Sequence, residues 1–261
     1  MDKGSASSER PRRSHQQWER NRGGNKIAEK LARQIIDDTL SAGRKPGDTL
    51  ATESEMMSIY DVARATLREA LRLLELQGVI WIKRGPGGGP VLAEVSPEHF
   101  AKMAKLHLQV RGSTYGELFE ARMAFEPLMA RLAARAQHPA GLEELRRVID
   151  ESRQVKMDDE LEFQRTATDF HVVLARISGN SVLDLFGASL QDVYQTGAAV
   201  RTPLARRRKT RALHGRIAEA VFDGDADLAE QLMREHMEDF DRANKRNHLH
   251  SVHYDTRIRW E

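Results

Sequence analysis

Arginine residues occur in one stretch of the sequence at a spacing that suits DNA recognition. Every fourth residue from 64 to 72 is an arginine, so a helix would place these side chains on one side. An arginine can form two hydrogen bonds to a guanine in the major groove, and a threonine can meet a phosphate or a thymine methyl group. The residues that we expect to contact DNA from this helix are Arg64, Ala65, Thr66, Arg68 and Arg72.

The elements that must position this helix have signals of their own. Thr52 and Glu55 have the spacing of a capping box, which predicts that a preceding helix begins here. Thr52 and Ser54, at its start, are further candidate DNA contacts. Asp61-Val62 would form the turn into the arginine-bearing helix. The apolar stripe that packs this second helix on a core consists of Leu67, Leu71 and Leu74.

A small β-hairpin with a basic tip is predicted after Gly78. Residues 79–82 are apolar and largely β-branched, residues 83–90 are rich in glycine and must loop, and Val91-Leu92 can pair back. The candidate DNA contacts at the tip of the hairpin are Lys83, Arg84, Gly85 and Gly87.

In this order the residues resemble the winged helix-turn-helix of the GntR transcription regulators. The residues that carry the resemblance are Val62-x-Arg64-x-Thr66-Leu67-Arg68-Glu69-Ala70-Leu71, Leu74-Glu75, Gly78-Val79-Ile80 and Arg84-Gly85-x-Gly87. The resemblance implies a dimer that places this helix in the major groove, and the wing tip in the minor groove, of a palindromic operator. Ala51, Ser54 and Ala63 depart from the proline, arginine and serine or threonine that the family often has there. The alternative interpretation is that the arginines form only a solvated helix face.

Length and composition restrict the remaining possibilities. A chain of 261 residues with 40% hydrophobic residues suggests one large domain or two ordinary ones, and we predict two. No run of eighteen apolar residues and no signal peptide is present, so we expect a cytoplasmic protein with no membrane partner. The sequence has no cysteine, which excludes cysteine nucleophiles and cysteine-ligated zinc. The net charge is only +2, so the case for DNA rests on where the charges lie.

We predict a mostly α protein, in which an N-terminal winged helix-turn-helix is followed by an all-α helical bundle. Its predicted parts are a disordered basic arm (1–24), the winged domain (25–93), a linker (94–97), an effector-binding and dimerisation domain (98–247) and a flexible tail (248–261). Pro127 should kink or break the helix that contains it. The seven helices predicted for the second domain cover about 97–110, 115–136, 140–156, 159–177, 181–200, 203–223 and 225–247.

A second resemblance covers the predicted bundle. The residues that carry it are Arg122 with Glu126, Asp169-Phe170-His171, Ser178-Gly179-Asn180, His214-x-x-Ile217, Gly224-Asp225 and Met233-x-x-His236. They are similar to the C-terminal effector domain, or FCD domain, of the FadR-like branch of GntR regulators. That similarity implies a bundle that dimerises and binds a small effector in its centre. In many members an aspartate and three histidines hold a metal ion at the floor of the pocket.

The three histidines predict a metal site that has lost one ligand. His171, His214 and His236 each fall inside a separate predicted helix, and three imidazoles suit zinc or nickel. The family aspartate lies one helical turn before the first histidine, where this chain has Ala167. Asp169 is only two residues away and should point elsewhere. The alternative is an empty site, in which the same histidines line a polar cavity and donate hydrogen bonds to an anionic effector.

Three further residue sets are candidates for ligand or DNA contact. Arg122 could clamp a carboxylate with two nitrogens, or it could form only an i,i+4 salt bridge to Glu126. Tyr194 is expected at the effector cavity. The dense basic run from Arg206 to Arg211 is interpreted as a solvated helix face, with a contact to DNA beside the operator as the alternative.

Together these features predict a ligand-responsive regulator that is not an enzyme. We expect a homodimeric repressor that binds a double-stranded operator and a small effector, most simply a carboxylate. One alternative is an effector-independent DNA binder with a closed cavity. The other is a metal-dependent hydrolase, since three histidines leave coordination positions open.

Overall fold

The computed structural model describes residues 13–85, 87–197, 202–246 and 255–259. The chain divides into two units, of which the first ends at Val95 and the second begins at Ser96. The first unit combines helices with a two-stranded antiparallel sheet, and the described residues of the second are almost entirely helical. The predicted fold class is therefore confirmed. Among the described residues no helix is both long and apolar enough to cross a lipid bilayer.

The first unit is a three-helix module with a β-hairpin wing. Its elements are α1 (Arg13–Ser41), α2 (Glu53–Tyr60), α3 (Arg64–Leu76), β1 (Ile80–Lys83) and β2 (Gly89–Leu92). The leucine stripe of α3 packs against α1 and the base of the hairpin, and this burial of apolar surface holds the module together. The buried residues at its centre include Ile35, Leu67, Leu71, Leu74 and Ile80.

The ends of α2 and α3 follow from their capping residues. Thr52 and Glu55 form the predicted capping box, in which each residue binds the backbone N–H of the other. Asp61 ends α2 in the left-handed conformation, with φ of 47°. Ala63 precedes α3 and provides no side-chain cap. The turn between the helices therefore depends on Asp61 and on packing.

The wing is a tightly paired hairpin. Ile80 lies opposite Leu92, and Lys83 lies opposite Gly89. Gly85 and Gly87 in the connecting loop have φ of 97° and 71°, which side chains rarely tolerate. The loop therefore requires glycine in order to project the basic tip.

The helix α1 begins earlier than the sequence predicts. Residues 13–24 were expected to belong to a disordered arm, but α1 already begins at Arg13. The buried residues Ala28, Leu31 and Ile35 anchor the later turns of α1, and extending an existing helix avoids the cost of nucleating a new one. Residues 1–12 of the predicted arm lie outside the described residues.

The second unit is a helical bundle around α5. Its helices are α4 (Pro97–Arg111), α5 (Tyr115–Ala136), α6 (Pro139–Gln154), α7 (Glu160–Ile177), α8 (Ser181–Gly197), α9 (Leu204–Phe222) and α10 (Ala226–Arg246). Helix α5 packs against α7, α8, α9 and α10. Pro127 lies inside α5 without breaking it, because packing on several sides outweighs the loss of one backbone donor. Gly187 lets α8 approach α5 and α7 closely, since a Cβ there would lie 2.8 Å from side-chain atoms of Ala175 and Met129.

Part of the predicted flexible tail is docked on the bundle. Ile258 is 1% exposed and packs in a cluster with Tyr115 and Leu118. The Tyr115 N–H donates to the carbonyl of Thr256 at 3.0 Å, and the Ile258 N–H donates to that of Ser113 at 2.9 Å. The prediction of a flexible tail is wrong for residues 255–259, because one isoleucine in a polar segment produces no periodic signal. Residues 248–254 and 260–261 lie outside the described residues.

We expect Ile258→Asp to release this docked segment, because a carboxylate would have to be buried without a partner. The Tyr115 amide would lose its acceptor and exchange its hydrogen faster, as hydrogen–deuterium exchange would measure. Arg259→Asp, at an exposed neighbouring position, serves as the control. Equal protection of the Tyr115 amide in all three proteins would contradict the docking.

Candidate functional site

The DNA-binding candidates on α3 are presented to solvent. Arg64, Ala65, Arg68 and Arg72 are exposed and Thr66 is half-buried, while the leucine stripe faces the core. The Arg68 Nε lies 3.4 Å from a Glu53 carboxylate oxygen, but both side chains are well exposed. Such an exposed pair contributes little and can be replaced by a contact to DNA.

The other DNA-binding candidates differ in their freedom to bind. Lys83, Arg84, Gly85 and Gly87 at the wing tip are all exposed. Ser54 is also exposed. Thr52 is already engaged, because its hydroxyl donates to Glu55 Oε2 at 2.8 Å within the capping box. A contact from Thr52 to DNA would therefore compete with the start of α2.

The three candidate metal ligands converge inside the second unit. His171 comes from α7, His214 from α9 and His236 from α10, and one nitrogen of each lies within 4.8 Å of the others. They are only 8%, 3% and 5% exposed. The Nε2 atoms of His214 and His236 are 3.2 Å apart, and Phe170 stacks on His214 with ring centroids 4.0 Å apart. The bundle thus brings together residues that are far apart in sequence.

Glu126 is a buried carboxylate beside these histidines. Its Oε2 contacts His171 Nδ1, while its Oε1 accepts hydrogen bonds from Arg122 Nε at 2.7 Å and Gln191 Nε2 at 3.1 Å. Burial by itself would raise the pKa of Glu126, but Arg122 and His171 outweigh it and lower the pKa to about 2. Glu126 is therefore an anion at neutral pH.

Burial keeps two of the histidines neutral. It lowers the pKa of His214 well below its usual value and lowers that of His236 to about 3, with the neighbouring His171 adding to both shifts. Neutral imidazole is the form that binds a metal ion. The Glu126 contact occupies Nδ1 of His171 and leaves Nε2 available, a common arrangement around protein-bound metals. The residues therefore fit a divalent ion such as zinc or nickel.

A cavity of about 280 Å³ opens beside the cluster and is lined by all three histidines, Arg122, Tyr194 and Ala167. Ala167 lies one turn before His171, so no carboxylate reaches the cluster from that position. Asp169 instead forms an ion pair with Arg165 at 2.8 Å. Arg122 pairs with Glu126 and also lies over the Tyr194 ring, 4.8 Å from its centroid. Both roles considered for Arg122 therefore remain compatible with its position, since its salt bridge does not remove it from the cavity wall.

The basic run from Arg206 to Arg211 is mostly engaged within its own unit, and only Arg208 and Lys209 are largely exposed. Arg207 is 7% exposed and pairs with Glu160 at 3.1 Å. Arg211 donates to the carbonyl of Val155 at 2.7 Å, at the end of α6. The expectation of a solvated face is wrong for Arg207, because the charge density of a run does not reveal which carbonyls and carboxylates the fold will bring to it.

Sequence reasoning also missed the contact between Glu126 and His171. It paired Glu126 with Arg122 because they are four residues apart on one helix. The contact to His171 joins α5 to α7, and no periodicity within one helix could have indicated it.

Comparison with known proteins identifies the family. The model of the gntR family of bacterial regulatory proteins matches residues 24–88, and the FCD domain matches residues 117–239. An uncharacterised HTH-type transcriptional regulator of Bacillus subtilis, YcbG, is 30% identical over 213 residues, which are 79% of this chain and 87% of that protein. The chain belongs to the GntR family.

Two further relatives of this GntR-family regulator agree with that assignment. The HTH-type transcriptional repressor NanR of Cronobacter sakazakii is 27% identical over 84% of this chain and 87% of its own length. The GntR structure from Streptococcus agalactiae has a TM-score of 0.63 at 22% identity, covering 83% of this chain and 99% of that one. This structural likeness shows the fold. The chain is thus a transcription regulator with a DNA-binding module and an FCD effector-binding domain.

We expect the purified regulator, after chelation and incubation with Zn²⁺ or Ni²⁺, to retain about one ion per chain, because three imidazoles converge on one point. His236→Ala should retain almost none, and the exposed His138→Ala should behave as the wild type. Elemental analysis after desalting measures this. Equal metal content in the His236→Ala and wild-type proteins would rule out the site.

Proposed function

We propose that this GntR-family regulator is a homodimeric repressor of a palindromic operator, and that a small carboxylate bound beside a divalent ion controls it. The observation that carries the proposal is the buried cluster of three histidines on the wall of a cavity that Arg122 also lines. The relatives named NanR are repressors, which supports the same sign of regulation.

The charges around the cavity favour an anionic effector. Arg122 and Glu126 compensate each other, and burial keeps His214 and His236 neutral. No second carboxylate pairs with Arg122 in the described part of the chain. A divalent ion on the histidines would therefore add positive charge with no carboxylate among its protein ligands. A carboxylate effector can supply the compensating negative charge, complete the coordination of the ion and bind the guanidinium group of Arg122.

An apolar surface on the second unit supports a dimer. Phe100 on α4 and Phe186 on α8 meet edge to face, with ring centroids 5.5 Å apart, yet both remain partly exposed. A patch of this kind marks a protein interface more often than isolated exposed residues do. A second copy of the chain is the partner that a palindromic operator requires. The other exposed apolar residues on α4 and α8 are Met103, Leu106, Val110 and Val182.

Regulation then requires the effector to change how the dimer binds its operator. If effector binding alters the separation of the two α3 helices, they no longer fit successive half-sites together. The coupling between effector and operator would be about 1 to 3 kcal/mol.

The two alternative functions are less compatible with the site. A cavity of about 280 Å³ leaves room for a ligand, which disfavours an effector-independent DNA binder. A hydrolase needs a general base with a pKa near the working pH, whereas Glu126 has a pKa of about 2 and is held by Arg122 and His171.

Selection from randomised DNA tests the DNA-binding part of the proposal. The wild type should select inverted repeats, since a two-fold symmetric dimer reads two equal half-sites. Arg64→Ala should cost about 1 to 3 kcal/mol and relax the base choice at one position in each half-site. Arg135→Ala, an exposed change in the second unit, should leave both unchanged. Selection of asymmetric sites, or unaltered base choice in Arg64→Ala, would contradict the proposal.

Titration of the selected operator complex with a panel of small carboxylates tests the effector part. At least one carboxylate should weaken operator binding, as fluorescence anisotropy would measure. Arg122→Lys keeps the charge but loses the planar fork, so it should need a higher concentration of the same compound. Arg135→Lys is the matched control. A panel that leaves operator affinity unchanged would count against a carboxylate effector.

A further inference from the structure

Glu126 occupies an unusual position among the buried groups of the second unit. It is 5% exposed, and its carboxylate contacts side chains from two other helices as well as its own. Gln191 on α8 and Arg122 on α5 both donate to Oε1. These two hydrogen bonds hold Oε1, while Oε2 lies in contact with Nδ1 of His171 on α7.

The chemistry of this contact determines where His171 carries its proton. An ionised carboxylate is only an acceptor, so the His171 nitrogen that meets it must be the donor. That nitrogen is Nδ1. In the neutral ring Nε2 then keeps its lone pair, which is the atom that a metal ion can bind.

The contact between His214 and His236 does not fix which of the two rings carries the shared proton. Their Nε2 atoms are 3.2 Å apart, so in the absence of a metal ion one donates to the other. Metal binding through both Nε2 atoms requires that donor to move its proton to Nδ1. Among the three histidines, His171 is the one whose ring nitrogen contacts a carboxylate of the described chain.

We propose that Glu126 is a positioning residue that fixes His171 as the Nδ1–H tautomer and so presents its Nε2 to a divalent ion. Arg122 and Gln191 hold Glu126 in place for this role. The inference deepens the proposed metal site and rests on it for the metal affinity, whereas the tautomer is a property of the metal-free protein.

A purely structural role for Glu126 makes a different prediction. A buried carboxylate that only joined α5 to α8 through Gln191 would affect stability when removed, but it would leave the His171 tautomer unchanged. Measuring the His171 tautomer therefore distinguishes a positioning role of Glu126 from a purely structural one.

The test is a long-range ¹H–¹⁵N spectrum of the metal-free protein, with His171 assigned from the signals lost in His171→Ala. The wild type should show His171 with its proton on Nδ1. Glu126→Gln should give a mixture of tautomers, and its Zn²⁺ affinity should fall about 10-fold to 100-fold in a competition titration with a chelator. Glu120→Gln, an exposed change on the same helix, should resemble the wild type in both measurements.

A second variant keeps the test informative if Glu126→Gln fails to fold. Arg122→Met combined with Glu126→Met removes both buried charges together, which such sites often tolerate, and deprives His171 of its acceptor. A wild-type His171 protonated on Nε2, or Nδ1–H retained throughout in both variants, would overturn the proposal. Loss of that tautomer in the variants, with no Zn²⁺ binding by the wild type, would uphold the positioning role and reject the metal part of the proposed function.

Discussion

A carboxylate as deeply buried as Glu126 needs charged or polar partners close by, and the bundle supplies them. Removing an ion from water costs several kcal/mol, which only close partners can offset. Those partners come from α5, α7 and α8, so the pairing fixes how these helices align along one another. Gly187 makes the same alignment possible by letting α8 come close. The histidine cluster and the cavity beside it both depend on that alignment.

The parts of the structure that follow from local rules could be predicted from the sequence. The capping box at Thr52 and Glu55, the leucine stripe of α3 and the glycine-rich wing each depend on residues a few positions apart. The convergence of His171, His214 and His236 was suggested by resemblance, since nothing in their spacing requires it. Contacts between distant segments escaped prediction, as those of Arg211 with the end of α6 illustrate.

The two units use charge in opposite ways. In the first, the arginines of α3 and the wing tip are exposed, so their attraction to phosphate is screened by salt and remains available to a partner. In the second, the buried Arg122 and Glu126 pair with each other. The buried Arg207 pairs with Glu160 and donates to the carbonyl of Thr202. A net charge of +2 conceals both uses, which is why placement is more informative than the total.

The docked segment around Ile258 also constrains the order in which the second unit can fold. Its partner Tyr115 is the first residue of α5, and the helices α5 to α10 separate the two in sequence. Closing so long a loop costs entropy that is recovered only when both ends have a surface to meet. The cluster around Ile258 should therefore form late in folding and be among the first to open in the native state. Proteases that cleave transiently opened segments would therefore reach this corner of the bundle early.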